Sequence, residues 1–144
     1  MTDLEKVRQW VLSYPQWGAD TRLYIDYTDA VPGNSGLFPA GLEEVARRED
    51  VLGNVTVQCR YRFSLRRVAT GQEDREADAQ WLMDFQKWVQ QQSRAGLAPK
   101  FGDAPEKEWI RAEKGKLQEA SQVGTAVYAV TLTAEFIKNY FMEE

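Results

Sequence analysis

The chain has 144 residues, of which 43% are hydrophobic and 28% charged, and its formal net charge is −4. This length and composition are those of a single globular domain, residues 1–144, with a core of its own, and the acidic balance disfavours a protein built to bind polyanions. One cysteine and no histidine exclude an intrachain disulfide and remove the commonest general base and metal ligand.

The first residues, MTDLEKVRQW, carry charges where a secretory leader would be apolar. No run of apolar residues approaches the roughly 18 that a membrane span needs. We therefore expect a soluble protein from a reducing compartment, without a membrane partner, and the lone cysteine agrees with that expectation.

A helix is predicted over about residues 3–13. Thr2 and Glu5 have the spacing of a capping box, in which the Thr2 hydroxyl accepts the backbone amide of Glu5. Apolar residues then recur at intervals of three and four, which lays one apolar stripe along the helix, and Pro15 ends it. Alternation in the run 21–29 predicts a short strand after it.

Residues 30–53 differ in character from the runs on either side. They are rich in proline and glycine, too long for a turn and too apolar for disorder. A stretch of this kind inside a compact domain is usually functional or faces a partner. The sequence therefore predicts a long partner-facing loop here.

The clearest signal is the run VTVQCRYRFSLR, residues 55–66, in which apolar and polar residues alternate without a break. The apolar members are Val55, Val57, Cys59, Tyr61, Phe63 and Leu65. This alternation predicts a strand with one face on the core and the other toward water or a neighbour. At full extension it would span roughly 40 Å, so we expect it to bend or to project beyond the sheet.

The main helix is predicted over about residues 73–94. Thr70 and Glu73 repeat the capping-box spacing, and the acids of the first turns suit the positive end of the helix dipole. Large aromatic residues recur at helical spacing, so the helix should lie across the sheet. Gly96 and Pro99 follow the stripe and end the helix.

Two strands close the chain. Residues 109–120 read as a strand that is broken or bulged at Gly115, residues 122–124 read as a hairpin turn, and residues 126–137 alternate well. The element order favours an α+β fold, in which an antiparallel sheet of about four strands carries two helices on one face.

The chain carries no convincing catalytic motif. Cys59 lies on the apolar face of the long strand, which favours a buried structural thiol over a nucleophile. The run PGNSG, residues 32–36, resembles a phosphate-binding loop in composition alone. The carboxylates lack metal-ligand spacing, and packing on a sheet explains the aromatic helix. We predict no enzyme, no cofactor, and no catalytic or metal-binding residue.

The charge is distributed unevenly along the chain. Residues 55–71 contain four arginines and no acid, whereas the segments on either side are each −4. Three of these arginines share the outer face of the long strand, so acids of the same chain, a neighbouring subunit or phosphate must compensate them. The residues predicted as a subunit interface are Leu37, Phe38, Arg47, Arg48, Glu49, Asp50, Arg60, Arg62, Arg66 and Arg67.

Four runs of the sequence carry a resemblance that covers nearly the whole chain: GLFPAGLEEVARREDVLGNVTVQCRYRFSLRR, WLMDFQKWVQQQS, GLAPKFGD and RAEKGKLQEASQVGTAVYAVTLTAEF. Together they resemble the small structural proteins of tailed bacteriophages and prophages of low-GC Gram-positive bacteria, which are labelled minor capsid or minor structural proteins. The predicted architecture is similar to that of tail-terminator proteins, which cap the tail tube as a hexameric ring and meet the head-completion proteins.

The resemblance implies a non-enzymatic virion protein at the head–tail junction or tail end, made in the bacterial cytoplasm. Its implied partners are copies of itself, as in a hexameric ring, and other phage structural proteins, with DNA only passing through the ring. The family offers no catalytic residues. Two other interpretations stay open: a cytosolic adaptor or regulatory domain that binds a host protein, and, more remotely, a small-molecule binder or enzyme with a pocket at the tryptophan-rich helix.

Overall fold

The computed structural model describes residues 1–17, 21–29, 31, 33–70, 75–120 and 125–141. These residues form two α-helices, five strands and one short 3-10 turn. In chain order they are α1 (Asp3–Leu12), β1 (Leu23–Ile25), β2 (Ser35–Glu49), β3 (Val55–Thr70), α2 (Arg75–Arg94), the 3-10 turn (Pro105–Lys107), β4 (Trp109–Ala120) and β5 (Thr125–Tyr140).

The five strands form one sheet with the order β1-β2-β3-β5-β4. The short β1 runs parallel to β2, and every other neighbouring pair is antiparallel. The predicted α+β class is therefore confirmed. The predicted four-stranded antiparallel sheet is corrected to a mixed sheet of five strands, because the run predicted as a loop is itself a strand.

The prediction of a loop over residues 30–53 was wrong, since β2 occupies Ser35–Glu49. Every residue from Pro39 to Leu52 is exposed, so no buried face imposes an apolar residue at alternate positions. Two register shifts, between Pro39 and Leu42 and between Glu44 and Ala46, also break the alternation. The alternation of apolar and polar residues that marks a half-buried strand is therefore absent from this run, although its backbone forms a strand.

Of the strands that the sequence predicted, β3 and β5 are longer than expected, β4 has its predicted bounds and β1 is only three residues long. β3 keeps the predicted alternation, and β5 pairs with it from Val55↔Tyr140 to Thr70↔Thr125. The predicted irregularity in β4 is confirmed, because the register shifts between Glu113 and Lys116. The predicted turn at residues 122–124 and the capping residue Glu73 lie outside the described residues.

Both helices pack on the apolar face of the sheet through an aromatic cluster. Tyr14, after α1, makes edge contacts with Trp81 (5.4 Å between ring centroids) and Phe85 (5.2 Å) of α2. Trp10 stacks on Trp88 at 5.1 Å. Aromatic pairs in these geometries add to the free energy gained by burying their surface, so the cluster joins the two helices into one layer.

The predicted helix ends are confirmed where they are described. The Thr2 hydroxyl accepts the backbone N–H of Glu5 at 3.2 Å. At the other end of the helical layer, Gly96 has φ +73° and the N–H of Leu97 donates to the carbonyl of Gln92. A glycine stops the helix here because a left-handed residue is needed to close this cap.

The segment between α2 and β4 runs beside β5, beyond the point where β4 begins to pair with it. The backbone N–H of Asp103 donates to the Ile137 carbonyl at 2.7 Å. The buried carboxylate of Glu108 accepts the N–H groups of Phe101 (2.7 Å) and Gly102 (3.1 Å). This carboxylate therefore holds the segment in the shape that lets it cover the edge of β5.

Gly102→Ala should destabilise the fold by about 1–3 kcal/mol, since a Cβ on residue 102 would overlap sterically with the Ile137 carbonyl oxygen. Urea unfolding monitored by tryptophan fluorescence measures the loss. Gly41→Ala is the comparison, because its φ of +102° strains an alanine by about 1 kcal/mol while the space around it is open. Equal losses for the two variants would contradict the close approach.

Candidate interaction surface

The face of the sheet opposite the helices carries a ladder of charges from neighbouring strands. The Arg60 guanidinium lies 3.1 Å from the Glu135 carboxylate on β5 and 3.5 Å from the Glu43 carboxylate on β2. Arg62 pairs with the other oxygen of Glu43 at 2.7 Å. Acids of the same chain therefore compensate these two arginines, which was one of the alternatives left open by the sequence.

Glu135 is the most enclosed member of this ladder, with 7% of the residue exposed. Besides Arg60, it accepts a hydrogen bond from the Gln58 side chain at 2.7 Å. A carboxylate at this depth needs charged or hydrogen-bonding partners because water no longer solvates it. Both partners come from β3. Because Arg60 also pairs with Glu43 of β2, the ladder joins three neighbouring strands.

Arg66 and Arg67 point to opposite faces of the sheet because they are adjacent on one strand. The Arg66 guanidinium lies 4.6 Å from the ring centre of the half-buried Phe38 on the outer face. Arg67 lies on the helix side, 4.0 Å from the Trp81 ring, and burial lowers the pKa of its guanidinium below the usual value. Arg67 was predicted to be a subunit-interface residue, but the structure packs it beneath α2.

The prediction of Leu37 as a subunit-interface residue is also corrected, since Leu37 is completely buried. It lies on β2 opposite Leu65 in the core and cannot serve as a surface contact in this fold. The apolar composition of its run, which suggested an interface, is explained here by the core.

The remaining predicted residues lie on the free side of β2 and at its turn. We call Pro39–Glu49 the β2 edge. Arg47 and Arg48 are exposed there, as is Glu49, and the Arg47 guanidinium lies 3.9 Å from the Glu44 carboxylate. The structure therefore separates the predicted interface into an ion-paired outer face and an exposed edge.

Asp50 organises the turn between β2 and β3. Its carboxylate accepts the backbone N–H groups of Leu52 and Asn54, each at 2.9 Å, and the Asn54 side chain at 3.0 Å. Hydrogen bonds, the Asn54 side chain first, hold the pKa of Asp50 below its usual value. The hydrogen bonds of Asp50 hold the turn in one shape, in which Val51 and Leu52 are 102% and 73% exposed to solvent.

Exposed apolar side chains cluster at this end of the sheet. Tyr140 lies opposite Val55, the first residue after the turn region, and Phe141 follows it; both are more than half exposed. We call Val51, Leu52, Tyr140 and Phe141 the distal patch. Tyr140 and Phe141 were not predicted as contact residues, although two aromatic residues soon after the predicted end of β5 were a signal.

A cleft of about 250 Å³ opens between the start of α1 and β2. Its lining is mainly apolar, and at its base the Tyr61 hydroxyl donates to the Asp3 carboxylate at 2.6 Å. The residues that line it include Leu4, Pro39, Gly41, Leu42, Tyr61 and Phe63. Its size and character suit one or two apolar side chains of a neighbour.

Cys59 is buried, as predicted, and burial raises the pKa of its thiol. Within the described ranges, no group of three or more Cys, Asp or Glu side chains is arranged to hold a metal ion. The same part of the chain has no helix that is long and apolar enough to cross a membrane.

No protein-family model matches the chain, and none of the curated proteins is significantly similar to it. These comparisons do not test the resemblance to phage structural proteins, which stays a prediction from the sequence.

Glu135→Gln should lower the free energy of unfolding by about 1–3 kcal/mol, because it leaves the half-enclosed Arg60 without its nearest charge. Denaturant unfolding at neutral pH measures this. The control is Glu43→Gln, whose carboxylate is about half exposed and which should cost less than about 1 kcal/mol. A larger loss for Glu43→Gln would show that the buried pair is not the centre of the ladder.

Alkaline pH should destabilise the protein through two tyrosines. Burial, aided by nearby carboxylates, raises the pKa of Tyr14 and of Tyr61 to about 12 from 10.0. The folded state thus holds protons that the unfolded chain releases, so the free energy of unfolding should be level below about pH 9 and fall between about pH 10 and 12. Urea unfolding across this range measures the slope, and Tyr61→Phe should reduce it. A native ultraviolet titration in which both residues ionise near pH 10 would contradict the assignment.

Proposed function

We propose that this chain is a non-catalytic structural subunit of a tailed-phage or prophage particle, which works by assembling with other subunits at the head–tail junction or tail end. The observation that carries the proposal is the exposed hairpin of β2 and β3, whose turn presents Val51 and Leu52 at the same end as Tyr140 and Phe141. Clustered exposed apolar side chains mark contact surfaces in soluble proteins.

The distal patch has the energetic capacity for such a contact. Burying one large apolar side chain contributes about 1.5–3 kcal/mol, so a few of them dominate the free energy of a protein contact. The Asp50 turn holds Val51 and Leu52 in place before any partner binds, which reduces the conformational entropy lost on association.

The resemblance to minor capsid and tail-terminator proteins supplies the phage context and the ring arrangement of this proposal. The outer-face ladder suits a ring through which DNA passes. Arg60 and Arg62 are already paired with Glu43 and Glu135, so this face would attract phosphate less than its three β3 arginines suggest. The β2 edge and the distal patch are left exposed for contacts with other subunits.

The test is incorporation into particles. In the bacterium that carries this sequence, an epitope-tagged chain should co-purify with particles after phage induction, at a fixed number of copies per particle. The double variant Val51→Ser/Leu52→Ser should fold but be lost from particles, whereas Leu97→Ser, at an exposed leucine away from the turn, should be retained.

Absence of the wild-type chain from purified particles would overturn the proposal. Recovery of the chain instead in a stable complex with one host protein would favour the adaptor interpretation, since the same exposed patch would serve an adaptor.

A further inference from the structure

We propose that the β2 edge pairs with the β2 edge of a second copy of this chain, antiparallel and around a two-fold axis, so that two five-stranded sheets join into one. The inference deepens the proposed function, because it names the occupant of the edge, and it rests on that function in treating the hairpin as a docking element.

The backbone of the β2 edge is free on one side. β3 pairs with β2 along its length, but β1 covers the other side only from Ser35 to Leu37. Among the residues that the structure describes, no strand pairs with that side beyond Leu37. A row of unpaired backbone N–H and C=O groups on an exposed strand is a template for another strand.

The charges along the edge are ordered so that they complement themselves. The central run is Glu43, Glu44, Val45, Ala46, Arg47, Arg48. If two copies align antiparallel around a point between Val45 and Ala46, Glu44 of one copy lies opposite Arg47 of the other. Glu43 then lies opposite Arg48. The two-fold axis doubles both pairs, and opposite charges across neighbouring strands stabilise a sheet whereas like charges destabilise it.

The bulge in β2 makes this alignment geometrically possible. Residues opposite each other on neighbouring strands point to the same face, but in a regular strand Glu44 and Arg47 would point to opposite faces. The register shift around Val45 places Glu44 opposite Cys59 and Arg47 opposite Val57, both on the helix side. The 3.9 Å between the Glu44 and Arg47 side chains within one chain shows that they share that face.

The second charge pair meets the same condition on the outer face. Glu43 lies opposite Arg60 and Arg48 opposite Thr56, and both of these β3 residues belong to the outer face. Without the bulge the self-complementary order would place its charges on mismatched faces. With it, each acid meets a base on its own side of the joined sheet.

The same register also gives the apolar turn a place to bind. It brings Val51 and Leu52 of one copy to the level of Pro39–Leu42 of the other, where the cleft of about 250 Å³ opens beside α1. The apolar turn of each copy thus covers the apolar cleft of the other copy. A strand from a different protein would need to complement this edge but would not require the edge to complement itself, so the charge order favours a second copy.

The experiment uses two single substitutions with opposite charge. Arg47→Glu makes residues 44 and 47 both acidic, and Glu44→Arg makes them both basic, so each variant opposes like charges when it pairs with itself. Wild type should approach twice the chain mass of 16.5 kDa, or an even multiple of it, as concentration rises at low salt. Each variant alone should self-associate at least about tenfold more weakly.

An equimolar mixture of the two variants should recover the association, because every acid then faces an arginine. Sedimentation equilibrium measures the association of every sample, and thermal unfolding checks that each variant is folded. Arg94→Glu, on the exposed end of α2, controls for the change in net charge.

A monomeric wild type, two variants that associate like wild type, or a mixture that stays monomeric would each overturn the edge pairing. These outcomes are separate from the particle test. If the chain enters particles but does not pair with itself, the proposed function stands and a different phage protein must bind the β2 edge. If the chain pairs with itself but is absent from particles, only the proposed function is overturned.

Discussion

The pairing of β3 on both sides is the constraint on which the rest of the structure depends. β3 bonds to β5 over its whole length and to β2 from Ser35↔Arg67 to Glu49↔Val55. From Val55 to Arg66 its alternation sends apolar side chains toward the helices and polar ones outward. Since a slip of one residue would exchange the two faces, the buried aromatic layer and the outer charge ladder both hold this register in place.

The sequence predicted those elements whose periodicity one buried face imposes. β3, both helices and β5 were found because burial selects apolar residues at period two or 3.6. β2 beyond Leu37 could not be found, because solvent on both faces selects nothing and the bulges interrupt the pattern. The free side of the sheet, where we place the docking surface, was therefore the part least visible in the sequence.

The candidate site was only partly predictable for a related reason. The excess of arginine on β3 was plain, but its acids come from residues distant in the chain, Glu43 and Glu135, which only the strand register brings together. The same register explains why Arg66 and Arg67, adjacent in sequence, have different roles. Composition can thus identify a charged strand, but it cannot say whether the charge is already compensated within the fold.

The β2 edge has the features by which proteins normally prevent sheets from joining, namely a proline, bulges and a high density of charge. A purely protective edge needs only charges of one sign, because these oppose like charges in every register with a second copy. Here two acids precede two bases, and the bulge between them restores each acid and its opposite base to a common face. Such an edge rejects most registers and most foreign strands through like-charge contacts, yet accepts its own copy in one register. Charge and bulge then give specificity to association instead of blocking it.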